Sequence, residues 1–207
     1  LCNRRQRQMC IRDRYAGETV ASKLARIRKE MKEAGTNVHV VSTIDDICWT
    51  LNIRGNDIDF FPLVLSYGII TMDSFELYID ERKLDDKLKA KLAKDGVNLH
   101  PYNDIYEDVK KFGSDVVAMI DPGKLNYALF NNIPENVKTV EKRNPAILMK
   151  AIKNPVEIEN IRKAQIKDSV AHVRFMKWLK ENVGKMRITE MSASDKLDEF
   201  RAETVSY

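Results

Sequence analysis

The hydrophobic period of this chain changes at Asn154-Pro155. Before it, apolar residues alternate between helical and strand spacing; after it, only helical spacing occurs. Val20, Leu24, Ile27 and Met31 mark a helix that stops at Gly35, and the apolar run Val38 to Val41 reads as the strand it feeds. Thr43 with Asp46 three positions on predicts a capping box opening a helix through Ile44, Ile47, Cys48 and Leu51, closed by the turn Arg54-Gly55-Asn56. Leu63 to Thr71 and Phe75 to Asp80, parted by Met72-Asp73-Ser74, read as a β-hairpin.

The alternation continues with a helix through Leu84, Leu88 and Leu92 to Gly96, then a strand at Val97 to His100. A helix at Asp104 to Phe112 and a strand at Asp115 to Ile120 follow. A hairpin inside a βα alternation predicts an α/β domain over residues 15–150: a mixed β-sheet flanked by helices rather than a purely parallel one. From Pro155, at a first helical position, a helix of about 29 residues reaches Gly184. It carries Ile161, Ala164, Ala171, Phe175 and Trp178 on one stripe, and a second helix from Thr189 carries Ala193, Leu197 and Phe200. Two amphipathic helices with nothing after them predict the opening of a larger domain over residues 151–207.

Charge is concentrated at one end. The net +4 equals what residues 1–14 supply, five arginines against Asp13, so the remaining body is formally neutral and gives no reason to expect nucleic-acid binding. The composition changes abruptly at Tyr15, which marks residues 1–14 as a non-native or disordered leader outside the fold. No apolar run is long enough to cross a bilayer, and no secretory signal opens the chain. Cys48, flanked by apolar residues, reads as a reduced buried thiol of a cytoplasmic protein.

Local motifs for chemistry are missing: none of the three histidines, at 39, 100 and 172, stands in a metal-binding spacing, and no phosphate-cradling glycine loop or nucleophile elbow occurs. No catalytic or metal-ligating residue is assigned. Asp46 is accounted for by the cap and Asp57 by the turn. Asp168 falls on the apolar stripe of the long helix, where an acid requires a partner; it is either hydrogen-bonded there or placed at the edge of an active site.

Two stretches go beyond composition. One is Ser42 to Asp57, containing Trp49-Thr-Leu-Asn-Ile-Arg-Gly-Asn-Asp57, with Pro62 and Ser66-Tyr67 following. The other is Lys150 to Asn154 with Glu157, Glu159, Arg162, Asp168, Phe175, Trp178, Thr189-Glu190 and Phe200-Arg201. In this order and spacing the chain resembles the cytosolic, three-domain type of Xaa-Pro aminopeptidase, in the creatinase/prolidase pita-bread metallopeptidase family. The resemblance implies that residues 15–150 are the creatinase-like second domain and that 151–207 are a linker and the first helices of a truncated catalytic domain. It implies a full-length homodimeric enzyme, with two Mn2+ or other divalent ions, acting on peptides that have proline in the second position. It also implies that the metal ligands lie outside this chain, which alone is inactive. Asn52, Arg54 and Gly55 then either line a cleft or dimer contact or fix the local fold, and Asp168 is the remaining candidate. The alternative is a non-catalytic binding module of the same fold. Neither nucleic acid nor membrane is an expected partner.

Overall fold

The computed structural model describes residues 9–10 and 13–204, with side chains for 15–203. In chain order the elements are β1 Met9–Cys10, α1 Asp13–Ala16, α2 Val20–Glu33, β2 Val38–Val41, α3 Ile44–Thr50, β3 Ile53–Arg54, β4 Ser66–Thr71, β5 Phe75–Ile79 and α4 Asp86–Lys94. Then come β6 Val97–His100, α5 Ile105–Asp108, β7 Val117–Ile120, α6 Tyr127–Asn132, β8 Lys138–Glu141, α7 Pro145–Ala151, α8 Pro155–Asn182 and α9 Glu190–Thr204. They fall into two compact units that part between Lys153 and Asn154.

The first unit is built on a six-stranded sheet of order β6-β5-β4-β2-β7-β8. β4 runs antiparallel to both of its neighbours, whereas β2 with β7, β5 with β6 and β7 with β8 are parallel. The sheet is therefore mixed, as the hairpin within a βα alternation predicts. Successive residues along each strand serve opposite faces. Val41, Ile70, Leu77 and Ile79 join one core with Leu24, Ile27 and Met31 of α2, Ile47 of α3 and Leu92 of α4. Val40, Ile69 and Tyr78 join the other, with Ile105 of α5 and Leu129 of α6. Both faces are covered over the central strands β5, β4, β2 and β7, whereas the edge strand β8 is largely exposed.

Helix ends follow the local chemistry. Thr19 Oγ1 accepts from Ser22 N at the start of α2, and Gly35 and Gly96 take positive φ where α2 and α4 end. Asn154 and Glu157 complete a reciprocal capping box at α8, with Pro155 in its first turn. Thr43 departs from expectation. It stands at the N-cap of α3, but its hydroxyl donates to Asp46 Oδ2 at 2.6 Å instead of accepting from the backbone, because Asp46 is engaged with two other donors.

Other differences are local. β4 begins at Ser66, not Leu63, because the preceding segment folds back on the Arg54-Gly55 turn through Gly55 N to Pro62 O (3.3 Å) and Asp57 N to Leu63 O (3.1 Å). The helix expected over 104–112 is one short turn, α5, continued as a 3₁₀ segment at Val109–Lys111. α6, β8 and α7 have no counterpart in the hydrophobic pattern. Most of residues 1–14 lies outside the described residues, yet Met9 and Cys10, which the composition sets apart from the fold, pair antiparallel with Arg54 and Ile53.

Gly68 on β4 lies under the ring of Phe75, and a Cβ there would stand 2.6 Å from the ring's Cζ. Gly68→Ala should therefore lower the urea-unfolding free energy by about 1–3 kcal/mol through overpacking.

The second unit is the packed helix pair α8 and α9. Ala171 is buried, Phe175 and Trp178 stack at 6.0 Å between ring centroids, and the Arg174 guanidinium lies 4.7 Å from the Phe200 centroid. A second face of α8, bearing Ile166, Val170, Val173 and Met176, is exposed.

Candidate functional site

The Trp49 to Asp57 segment is a tight exit from α3 whose polar atoms are turned inward. Asn52 takes φ of 53°, a left-handed conformation that asparagine tolerates better than most residues. Its side chain is buried: Oδ1 accepts from Lys23 Nζ at 2.7 Å and Nδ2 donates to Glu18 O at 2.9 Å. Lys23, itself only 1% exposed, also donates to Trp49 O at 2.7 Å and sits 4.3 Å from the Trp49 ring centroid. Arg54 is half-buried and donates to Ile53 O (2.9 Å) and Cys48 O (3.4 Å). Asp57 accepts from Leu65 N (2.8 Å) and Lys83 Nζ (2.6 Å), tying the loop down at both ends. Between these anchors Phe60 is fully exposed at φ of 66°, with Phe61 also outward. A bulky residue held in the left-handed region with no packing to justify it is strain retained at a surface loop.

Asn52, Arg54 and Gly55 thus share one turn, and their described hydrogen bonds serve the local fold. Asp168 lies in the second unit, where Oδ1 accepts from Arg201 Nε of α9 at 2.8 Å; the carboxylate is 40% exposed and Ile161 and Ala164 of the expected stripe are exposed, so Asp168 is paired without being buried. Asp46 and Asp57 do not face a common centre. Asp46 Oδ1 accepts from Lys150 Nζ (2.6 Å), while Oδ2 accepts from Thr43 and, at 2.9 Å, from Asn144 Nδ2. Asp45 also pairs with Lys150. Among the described residues no three or more His, Cys, Asp or Glu side chains converge as a metal site.

Sequence reasoning missed the cations that organise these turns. Lys23 interrupts the apolar stripe of α2 one position before Leu24, a detectable signal for a buried amine. Lys150 and Asn144 gave none, because their carboxylate partner lies about a hundred positions away in sequence.

Cys48 is a buried thiol, and burial pushes its pKa up. Iodoacetamide should label the Cys48 peptide only as fast as the domain unfolds, and adding urea to the midpoint should accelerate it; rapid native-state labelling read by mass spectrometry would contradict this.

Probable Xaa-Pro aminopeptidase P of Neurospora crassa is 34% identical over 205 residues, covering 94% of this chain and 30% of its own length. Xaa-Pro aminopeptidase 1 of Dictyostelium discoideum is 36% identical over 204 residues, covering 95% and 32%. Among solved structures, the X-prolyl aminopeptidase of Caenorhabditis elegans, a cytosolic enzyme with a di-nuclear active site, matches with a TM-score of 0.90 at 29% identity. That match covers 95% of this chain and 33% of the other. The chain therefore spans about a third of the length of these relatives. Residues 3–157 match the Creatinase/Prolidase N-terminal domain. The matched span contains the whole mixed sheet and both of its helical layers, and the chain belongs to the creatinase/prolidase N-terminal domain family.

Proposed function

We propose that this chain is the scaffold portion of a metal-dependent aminopeptidase that releases the N-terminal residue from peptides with proline in the second position. The observation that carries the reading is the likeness to the C. elegans aminopeptidase, maintained through both units at a third of that protein's length. In this reading residues 15–150 are the creatinase-like domain, and α8 and α9 are the first helices of a catalytic domain. The exposed apolar face of α8 fits such a role, since a helix apolar on two faces is normally packed on both.

A di-nuclear metal centre, with manganese as its metal, is part of the proposal for the longer polypeptide. The described residues of this chain do not fit such a centre, because no three of their carboxylate, histidine and cysteine side chains converge, and Asp46, Asp57 and Asp168 each accept from a cation elsewhere. Bond cleavage accordingly falls to residues outside this chain, which alone is inactive. Its own contribution is rigid: Lys23, Asn52, Asp57 and Lys83 hold the Arg54-Gly55 turn and the Phe60 loop as one edge of a cleft or of a homodimer contact. We place the enzyme in the cytoplasm because the C. elegans aminopeptidase it resembles is a cytosolic enzyme.

The test is the coding sequence beyond residue 207. It should supply two aspartates, a histidine and two glutamates suited to two metal ions, whereas continuation without them would favour a non-catalytic binding module. A finer test is Phe60→Gly in the longer polypeptide. Glycine accepts φ of 66° freely, so stability should hold or rise by up to about 1 kcal/mol while kcat/KM falls several-fold. Unchanged kcat/KM would remove the loop from the site.

A further inference from the structure

α7 is apolar almost all round: it reads Pro145-Ala-Ile-Leu-Met-Lys-Ala151, and a helix of that composition is normally covered on more than one side. Ala146 and Met149 pack into the core, while Leu148 and Ile152, four positions apart, are 67% and 69% exposed. These two side chains line a groove of about 490 Å³ between α7 and the solvent side of α2. Pro145 and Met149 complete its apolar lining, so that Pro145, Leu148, Met149 and Ile152 form one stripe at helical spacing. Single exposed aliphatic residues are ordinary on a protein surface; a stripe set in a groove of ligand size is not.

The polar rim of the groove is cationic. Arg26 and Lys29 stand one turn apart on α2, and Lys142 and Arg143 precede α7. The one carboxylate in the lining is Glu30, which accepts from Lys142 at 3.1 Å. Arg26 reaches Glu18 at 2.9 Å and Lys29 reaches Glu33 at 3.8 Å, both acids lying outside the lining. Arg143 is exposed, and no described side chain accepts from it. Four cations against one carboxylate leave the lining at a formal +3, in a body that is formally neutral from residue 15 onward. The groove therefore attracts carboxylates. Both walls are helices whose main chain is bonded internally, so an extended peptide would find no free main-chain groups to pair with. A guest helix brings its own backbone bonds and needs only side-chain contacts.

We propose that this groove is a docking site for an acidic amphipathic helix of a partner protein, whose aliphatic stripe seats on Leu148 and Ile152 while flanking carboxylates pair with Arg26, Lys29 and Arg143. The inference goes beyond the peptidase reading and does not depend on it, since both walls lie in the first unit and the readout is binding. The apolar contacts supply affinity. The cations supply orientation and association rate, so binding weakens as salt screens them. A basic helix with the same apolar stripe would set like charges against Arg26 and Arg143, which is the source of selectivity.

Fluorescence anisotropy on the 207-residue chain tests this with a labelled peptide of about 16 residues, leucine at i, i+3, i+4 and i+7 and glutamate beside them. Two comparison peptides carry lysine in place of glutamate, or the same residues in shuffled order. The glutamate peptide should bind with a micromolar Kd, at least about tenfold tighter than either comparison, and should weaken several-fold between about 50 and about 300 mM NaCl. Arg143→Glu and Leu148→Ser should each weaken it about tenfold, whereas Val173→Ser on the exposed face of α8 should leave it unchanged. Arg143 and Leu148 are exposed and make no described side-chain hydrogen bond, so both variants should keep the native circular dichroism spectrum. No binding of the glutamate peptide, equal affinity for the lysine peptide, unchanged binding in either groove variant, or loss in Val173→Ser would overturn the proposal. The longer polypeptide should bind the glutamate peptide as well; failure there would show that the groove is filled from within the same polypeptide, and would overturn the proposal equally.

Discussion

Asp46→Ala is expected to lower the unfolding free energy of the first unit by about 3–4 kcal/mol. The Asp46 side chain is 2% exposed and accepts from Lys150, Asn144 and Thr43. Its removal leaves one ammonium and one amide facing each other beside a void, and stranding the partner of a buried ion pair typically costs that much. Lys150 is partly exposed and can turn toward water, which keeps the loss from being larger. Urea unfolding followed by circular dichroism would measure it, with a fall in Tm of about 10 °C. A loss under about 1 kcal/mol would show that the cluster does not hold α3 to α7.

Phe75→Ala should cost about as much, about 3–5 kcal/mol, by a different mechanism. Phe75 is 1% exposed at the start of β5 and its ring fills the space over Gly68. Deleting it removes the transfer free energy of the ring and leaves a cavity between β4 and the helices above it, which the paired strands cannot collapse to fill. The two positions are coupled, so Gly68→Ala combined with Phe75→Leu should cost less than the sum of the single changes. Additive losses in that cycle would mean that the ring does not rest on the glycine.

Much of the fold is legible in the residues because each element carries its own periodicity. β6 and the β4–β5 hairpin, the stops at Gly35 and Gly96 and the start of α8 at Asn154-Pro155 are all written in local spacing and punctuation. α6, α7 and β8 are not, since seven residues or fewer give too little period to distinguish from a loop, and β8 is largely exposed with charged ends. The capping box at Thr43 fails for a tertiary reason: Lys150 and Asn144 claim the carboxylate that local rules assign to the helix terminus.

The site is less legible than the fold. Asn52, Arg54 and Gly55 are recognisable as a unit because they lie within four positions; the inward-turned bond of Asn52 depends on Lys23 of a helix some thirty residues upstream, whereas Arg54 donates to the nearby carbonyls of Cys48 and Ile53. The exposure and left-handed backbone of Phe60 have no local signature at all. Asp168 was identifiable as an acid in need of a partner, and only α9 could supply Arg201.

On the proposed function, this chain is scaffold and proline-directed peptidase chemistry belongs to the longer polypeptide. The most direct test is hydrolysis of Ala-Pro-Ala and of Ala-Ala-Ala by two preparations, the longer polypeptide supplied with Mn2+ and the 207-residue chain under the same conditions. The expected result is release of alanine from Ala-Pro-Ala by the longer polypeptide alone, with Ala-Ala-Ala left intact. Cleavage by the 207-residue chain, or no cleavage of Ala-Pro-Ala by the metal-supplied longer polypeptide, would contradict it.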